Sequence, residues 1–189
     1  LQREANRSLG YTAQQTLDYL QALYEKKLCT YPRTDSRFLT DDLEASVPEL
    51  VAVAAAICET TAPGRVNAGQ VCDSRKVSDH HAILPTASAG KADTSVLPLG
   101  EREILRLVAG QLLRAVSDAH RYAETAVTLE CGGAVFTVKG RTTLTPGWKQ
   151  YLAQEKQDAA LPELSEGQVL ECAEAAVKEG KTTPPKHYT

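Results

Sequence analysis

The chain has 189 residues, a formal net charge of −3 and a hydrophobic content of 42%. These values exclude a disordered or fibrous polypeptide and leave room for one ordinary domain or two small ones with a sizeable core. No stretch approaches the roughly 18 apolar residues that a membrane helix needs; the longest apolar run, Leu50 to Cys58, is short and rich in alanine.

The sequence contains no methionine and begins at Leu1, so it is expected to be an excised piece of a longer protein. No secretory leader pattern is visible. The five cysteines (Cys29, Cys58, Cys72, Cys131, Cys172) are widely spaced with no C-x-x-C pair, which argues against a zinc site or a disulfide framework and for a reducing cytoplasm. The acidic balance argues mildly against nucleic-acid binding, but it is unevenly spread. Residues 1–40 carry six Lys or Arg against four Asp or Glu, residues 41–64 carry five acids and no base, and residues 65–91 carry four bases against two acids.

In chain order, Leu1, Ala5 and Leu9 share one helical face, and Gly10 suits the position just past a helix end. Thr12 with Gln15 forms a capping-box pattern that starts a second helix, whose apolar stripe is Leu17, Leu20, Tyr24 and Leu28 and whose end falls near Lys27. A third helical region opens at Thr40 with Asp41 and Asp42 in its first turn. Ser46-Val47-Pro48-Glu49 gives a second capping box for a helix running to about Thr60, with Pro63-Gly64 as its stop. Residues 65–100 read as loops. From Gly100, the residues Ile104, Leu105, Val108, Leu112 and Val116 carry a helical period to about Asp118. The period then becomes two: Thr125 to Glu130 and Ala134 to Lys139 read as strands about a Gly132-Gly133 turn, and Val169 to Val177 as a third strand.

Two segments carry chemistry. Cys29-Thr30-Tyr31-Pro32-Arg33-Thr34-Asp35-Ser36-Arg37 places a phenol beside a proline, with two guanidinium groups, hydroxyls and a carboxylate close behind. A phenol flanked by arginines can attack a phosphodiester, because the arginines neutralise charge on the phosphate. The same residues also suit a surface loop whose tyrosine packs on the core. The second segment, Asp79-His80-His81, permits a metal-dependent phosphoesterase, although further aspartates on neighbouring strands are not visible. It equally permits a polar loop, or a histidine that donates to a phosphate near the tyrosine loop. Cys29 reads as a buried apolar residue and Trp148 as a core or turn-packing residue, while His120 and His187 stand alone. No phosphate-binding or dinucleotide glycine loop is present.

Together these segments resemble the type IA DNA topoisomerases. Tyr31-Pro32-Arg33-Thr34-Asp35-Ser36-Arg37 is similar to the family's active-site tyrosine segment, in the form of its topoisomerase III branch. Leu1 to Ala13, Asp79 to Thr86, Gly140 to Trp148 and Lys181 to Thr189 resemble further family segments in the same order. The resemblance implies an α+β fold: a helical, winged-helix-like tyrosine domain over residues 1–118, followed by a β-rich, incomplete segment of the topoisomerase arch over 119–189. It implies Tyr31 as the nucleophile that forms a 5′-phosphotyrosine link, with Arg33 on the scissile phosphate and His80 assisting. Arg37, Asp35 and Ser36 are implied as DNA-binding residues. Single-stranded DNA is the implied partner, without a membrane. Mg²⁺ is implied in the intact enzyme, held by a Toprim domain of the same polypeptide and by no residue of this chain. This piece alone is then expected not to relax DNA. A non-catalytic module in which Tyr31 stacks on a base is the alternative.

Overall fold

The computed structural model describes residues 1–152, 159–174, 176–177 and 179–185. The chain is an α+β mix: among the described residues, four α-helices precede a two-stranded antiparallel sheet. The helices are α1 (Gln2–Leu9), α2 (Ala13–Glu25), α3 (Val47–Ile57) and α4 (Leu99–Val116). Among the described residues no helix is long and apolar enough to cross a membrane.

Helix α4 is the post around which the others pack. Ile104, Leu105, Val108, Leu112, Leu113 and Val116 are all buried, facing Leu20 and Leu23 of α2 and Val47, Val51 and Ala54 of α3 in one continuous core. The helix starts and stops are chemical. Gly10 closes α1 in the left-handed conformation at φ 74°. Thr12 and Gln15 satisfy each other's backbone donors at the start of α2. At the far end of α2, Lys27 takes the left-handed conformation at φ 60°, its N–H bonding the Tyr24 carbonyl while the Leu28 N–H reaches back to Leu23. That is the paired closure of a Schellman motif, here without glycine. The adjacent Lys26 pairs with buried Glu101 of α4.

Two expectations about α3 need correction. Residues Asp41–Ser46 wind into a 3-10 turn, and Ser46 itself sits at φ −89°, ψ −16° with no side-chain cap bond, so the second capping box does not form. The helix also ends at Ile57, because Glu59 turns left-handed at φ 53° well before Pro63-Gly64.

The segment Leu28–Thr30 is paired with Leu84–Thr86. Thr30 N–H donates to the Leu84 carbonyl at 2.9 Å and Thr86 N–H to the Leu28 carbonyl at 3.0 Å. The Leu84 N–H donates to Thr30 Oγ1 at 2.9 Å, and Thr86 Oγ1 bonds the Lys27 carbonyl. Nine residues further on, Leu39 N–H donates to Val71, Asp73 N–H to Leu39, and Ala82 N–H to Phe38. The intervening residues 31–37 therefore leave and re-enter the core at points bonded to one partner segment, residues 71–86.

The β half is a hairpin of β1 (Arg121–Cys131) and β2 (Ala134–Thr145), turning at Gly132 and Gly133, both at positive φ as a two-residue type I′ loop requires. It exposes Val135, Phe136, Val138 and Leu144. The described residues of 169–177 are assigned to no strand, against the expected third one. Trp148 is 38% exposed rather than core, and its N–H donates to the Asp118 carbonyl at 2.9 Å. Of the last sequence segment, residues 186–189, including His187, lie outside the described residues.

Thr30→Val leaves the Leu84 N–H without its acceptor and is expected to weaken the local structure by about 1–3 kcal/mol. Hydrogen–deuterium exchange checks this: the Leu84 amide should exchange faster while amides inside α4 keep their rate, and an unchanged Leu84 rate contradicts the bond's importance. Gly147 stands at φ +53° with an added Cβ placed 2.5 Å from backbone atoms of Ala119. Gly147→Ala is therefore expected to cost about 2 kcal/mol or more, seen as a lowered Tm; an unchanged Tm counts against it.

Candidate functional site

The site grows out of the paired segments. Pro32 is buried directly after Tyr31 and fixes the chain's exit from the pairing. Tyr31 is half-buried, its ring centroid 4.4 Å from that of His80 at a 48° tilt and 5.5 Å from that of Tyr24 at 81°. The two sequence segments singled out for their chemistry are thus in direct contact. Thr34 strengthens the junction, its hydroxyl donating to the His80 carbonyl at 2.7 Å.

Thr34 and Asp35 form a ridge shared by two clefts, with Ser36 beside it on one of them. On one side Arg33, Thr34, Asp35, Ser78, Asp79 and His80 line an open depression of about 420 Å³. On the other, Arg37 with Asp35 and Ser36 borders a cleft of about 550 Å³ that reaches α1 and α4. The structure thus brings Arg33 to His80 and sets Arg37 on the opposite flank. Arg33 and Arg37 are exposed and make no ion pair among the described residues. Asp79 places a carboxylate oxygen 3.9 Å from His80 Nε2.

Several polar groups here are spent on architecture. The Ser36 hydroxyl accepts the Phe38 N–H at 3.0 Å and lies 3.2 Å from the Lys76 carbonyl, which ties the loop to the 71–86 segment. Lys76 Nζ also lies 4.3 Å above the Phe38 ring. Asp73 gathers Arg75 and Lys76, whose hydrogen bonds pull its carboxyl down to about 2. His81 Nδ1 lies 2.7 Å from the Ala82 carbonyl, which makes that nitrogen the protonated donor. Cys29 is buried, and burial pushes its thiol up to about 12, so it is no thiolate nucleophile. His120 stacks on Tyr122 at 5.4 Å, away from this site.

Among the described residues no three His, Cys, Asp or Glu side chains gather to hold an ion. Asp79, His80 and His81 do not converge: His81 is turned to its own backbone, and Asp73 is committed to two cations. These residues do not fit a Mg²⁺ or Mn²⁺ centre.

Tyr24 is the participant that sequence reasoning misassigned. Leu20 and Tyr24 are four residues apart, which fits an apolar stripe, but Leu23 fills the core position and Tyr24 stays 40% exposed beside Tyr31. Chemically, the assembly offers a phenol, an imidazole resting on it, and an unpaired guanidinium at the edge of an open depression. That combination suits an anionic ester.

The chain matches the DNA topoisomerase family over residues 1–189. It is 36% identical to DNA topoisomerase 3 of Vibrio cholerae, with all of this chain and 30% of that protein covered. It is 38% identical to DNA topoisomerase 3 of Bacillus subtilis and 36% identical to that of Bacillus licheniformis, covering all of this chain and 28% of each relative. The chain therefore spans less than a third of the length of these relatives. With a full-length family match laid over a tyrosine, arginine and histidine that the fold brings together, this chain belongs to the DNA topoisomerase family.

Proposed function

We propose that this chain is the tyrosine-bearing portion of a type IA DNA topoisomerase, acting on single-stranded DNA in the cytoplasm. The observation that carries the reading is the Tyr31–His80 ring contact at 4.4 Å, which unites two segments far apart in sequence. In this reading residues 1–118 form the winged-helix-like tyrosine domain and residues 119–189 part of the arch. The exposed apolar residues of the hairpin would then meet the rest of the polypeptide.

The chemistry follows from the residues. Tyr31 Oη loses its proton and attacks a backbone phosphorus. The new bond joins Tyr31 Oη to the phosphate at the 5′ end of the downstream strand, and the bond between phosphorus and the 3′ oxygen of the upstream strand breaks, with that oxygen taking up a proton. Arg33 neutralises the phosphate as charge gathers on its oxygens. His80, with Asp79 beside it, donates toward the same phosphate from the shared depression. Arg37 and Asp35 contact the strand along the ridge, and Ser36 holds the ridge in shape. The ester linkage preserves the energy of the broken bond, so the 3′-hydroxyl reverses the step without ATP after a strand has passed. In the intact protein a Toprim domain would supply Mg²⁺, which would help position the DNA.

Tyr31→Phe in the intact protein should abolish the covalent DNA adduct and supercoil relaxation while oligonucleotide binding stays within about twofold, since only a hydroxyl is removed. Arg33→Ala should slow cleavage by about 10²-fold or more. Unchanged relaxation by Tyr31→Phe would leave Tyr31 only a stacking role. The isolated 189-residue chain should show no relaxation, and relaxation by it alone would overturn the division of labour.

A further inference from the structure

We propose that Tyr24 is a positioning residue for the reaction, holding the Tyr31 ring from α2 while His80 holds it from the 71–86 segment. The proposal rests on Tyr31 being the nucleophile. Tyr24 lies in the last turn of α2 and meets Tyr31 nearly at right angles, at 81° and 5.5 Å, the edge-to-face geometry that aromatic pairs favour. His80 meets the same ring at 4.4 Å, and these two ring contacts, one from α2 and one from the 71–86 segment, form the bracket. Packing does not explain this placement. Leu23 is fully buried and supplies the helix's core contact, whereas Tyr24 leaves 40% of its surface in water.

The arrangement solves a problem specific to a nucleophilic phenol. A hydroxyl held by hydrogen bonds is oriented but occupied, whereas one held through its ring is oriented and free. Among the described residues neither the Tyr24 nor the Tyr31 hydroxyl has a hydrogen-bond partner. Tyr11 shows the contrast: its hydroxyl donates to Glu103, and that bond pushes it up to about 12. The support for Tyr24 is itself rigid, because Lys26 two residues later is paired with Glu101 of α4 and Lys27 is locked in the left-handed closure. Tyr31 is thus referred to the core through α2 as well as through its own backbone.

The test uses the intact protein and a single-stranded oligonucleotide, measuring the single-turnover rate of covalent adduct formation, the oligonucleotide Kd and the Tm. Tyr24→Phe keeps the ring and should cleave within about twofold of the unsubstituted protein. Tyr24→Leu removes it at an exposed helix position and should cleave about tenfold more slowly, with Kd within twofold and Tm unchanged. Tyr24→Gln, similar in length and well suited to an exposed helix site, should behave as Leu does. Tyr24→Leu and Tyr24→Gln cleaving at full rate would overturn the proposal. So would Tyr24→Phe being as slow as they are, or a deficit wholly in Kd. Tyr31→Phe separates the two ideas: an adduct formed by that variant overturns the nucleophile assignment and the bracket with it. A Tyr31-dependent adduct indifferent to Tyr24 overturns the bracket alone.

Discussion

The short backbone pairing of Leu28–Thr30 with Leu84–Thr86 is the constraint on which the site depends. It is only a few bonds long, yet it fixes where Tyr31 begins, because the next residue already leaves the core. A second set of bonds, among Phe38–Leu39, Val71–Asp73 and Ala82, fixes where the loop returns. A seven-residue loop free at both ends would have to pay its backbone entropy each time it was ordered, roughly 1–2 kcal/mol per residue. Here that ordering is done during folding, by carbonyls and amides that must be satisfied in any case because they lie against a buried core. The same bonds bring His80 to Tyr31, since the partner segment carries both Leu84 and His80.

The polar side chains around the loop divide between those bonded to the framework and those left exposed. Thr30, Thr34, Ser36 and Thr86 place their hydroxyls on backbone groups across the junction. Asp73 binds Arg75 and Lys76, and Lys76 covers Phe38. Arg33 and Arg37 stand exposed, lining different clefts, without an acidic partner among the described residues. Cations left unpaired beside a fixed phenol are the arrangement that a polyanionic strand would complete, which is why an overall charge of −3 says little about this face.

Much of the framework could be read from residues alone, where local chemistry decides the outcome. Gly10 ends α1, Thr12 and Gln15 open α2, the α4 period buries every residue named for it, and Gly132-Gly133 turns the hairpin. The failures arise where local patterns are degenerate. Ser46 carries the capping residue types but not the capping backbone, because the preceding 3-10 turn already places it at helical angles. Leu23 and Tyr24 both fit the face of α2, and only the neighbouring loop decides which one enters the core. Residues 169–177 are apolar enough to read as a strand, but composition cannot supply a pairing partner. The junction of Thr30 with Leu84 leaves no periodic trace at all, since a one-residue bridge has no period. The two segments were legible separately and the resemblance implied that they meet, whereas the Tyr31–His80 ring contact itself is visible only in the fold.

The most direct measurement is mass-spectrometric mapping of the covalent adduct trapped between the intact protein and a single-stranded oligonucleotide. The nucleotide-bearing peptide is predicted to contain Tyr31, joined through a 5′ phosphate. An adduct on any other side chain, or a 3′ linkage, would contradict the assignment of the clasped loop as the site of cleavage.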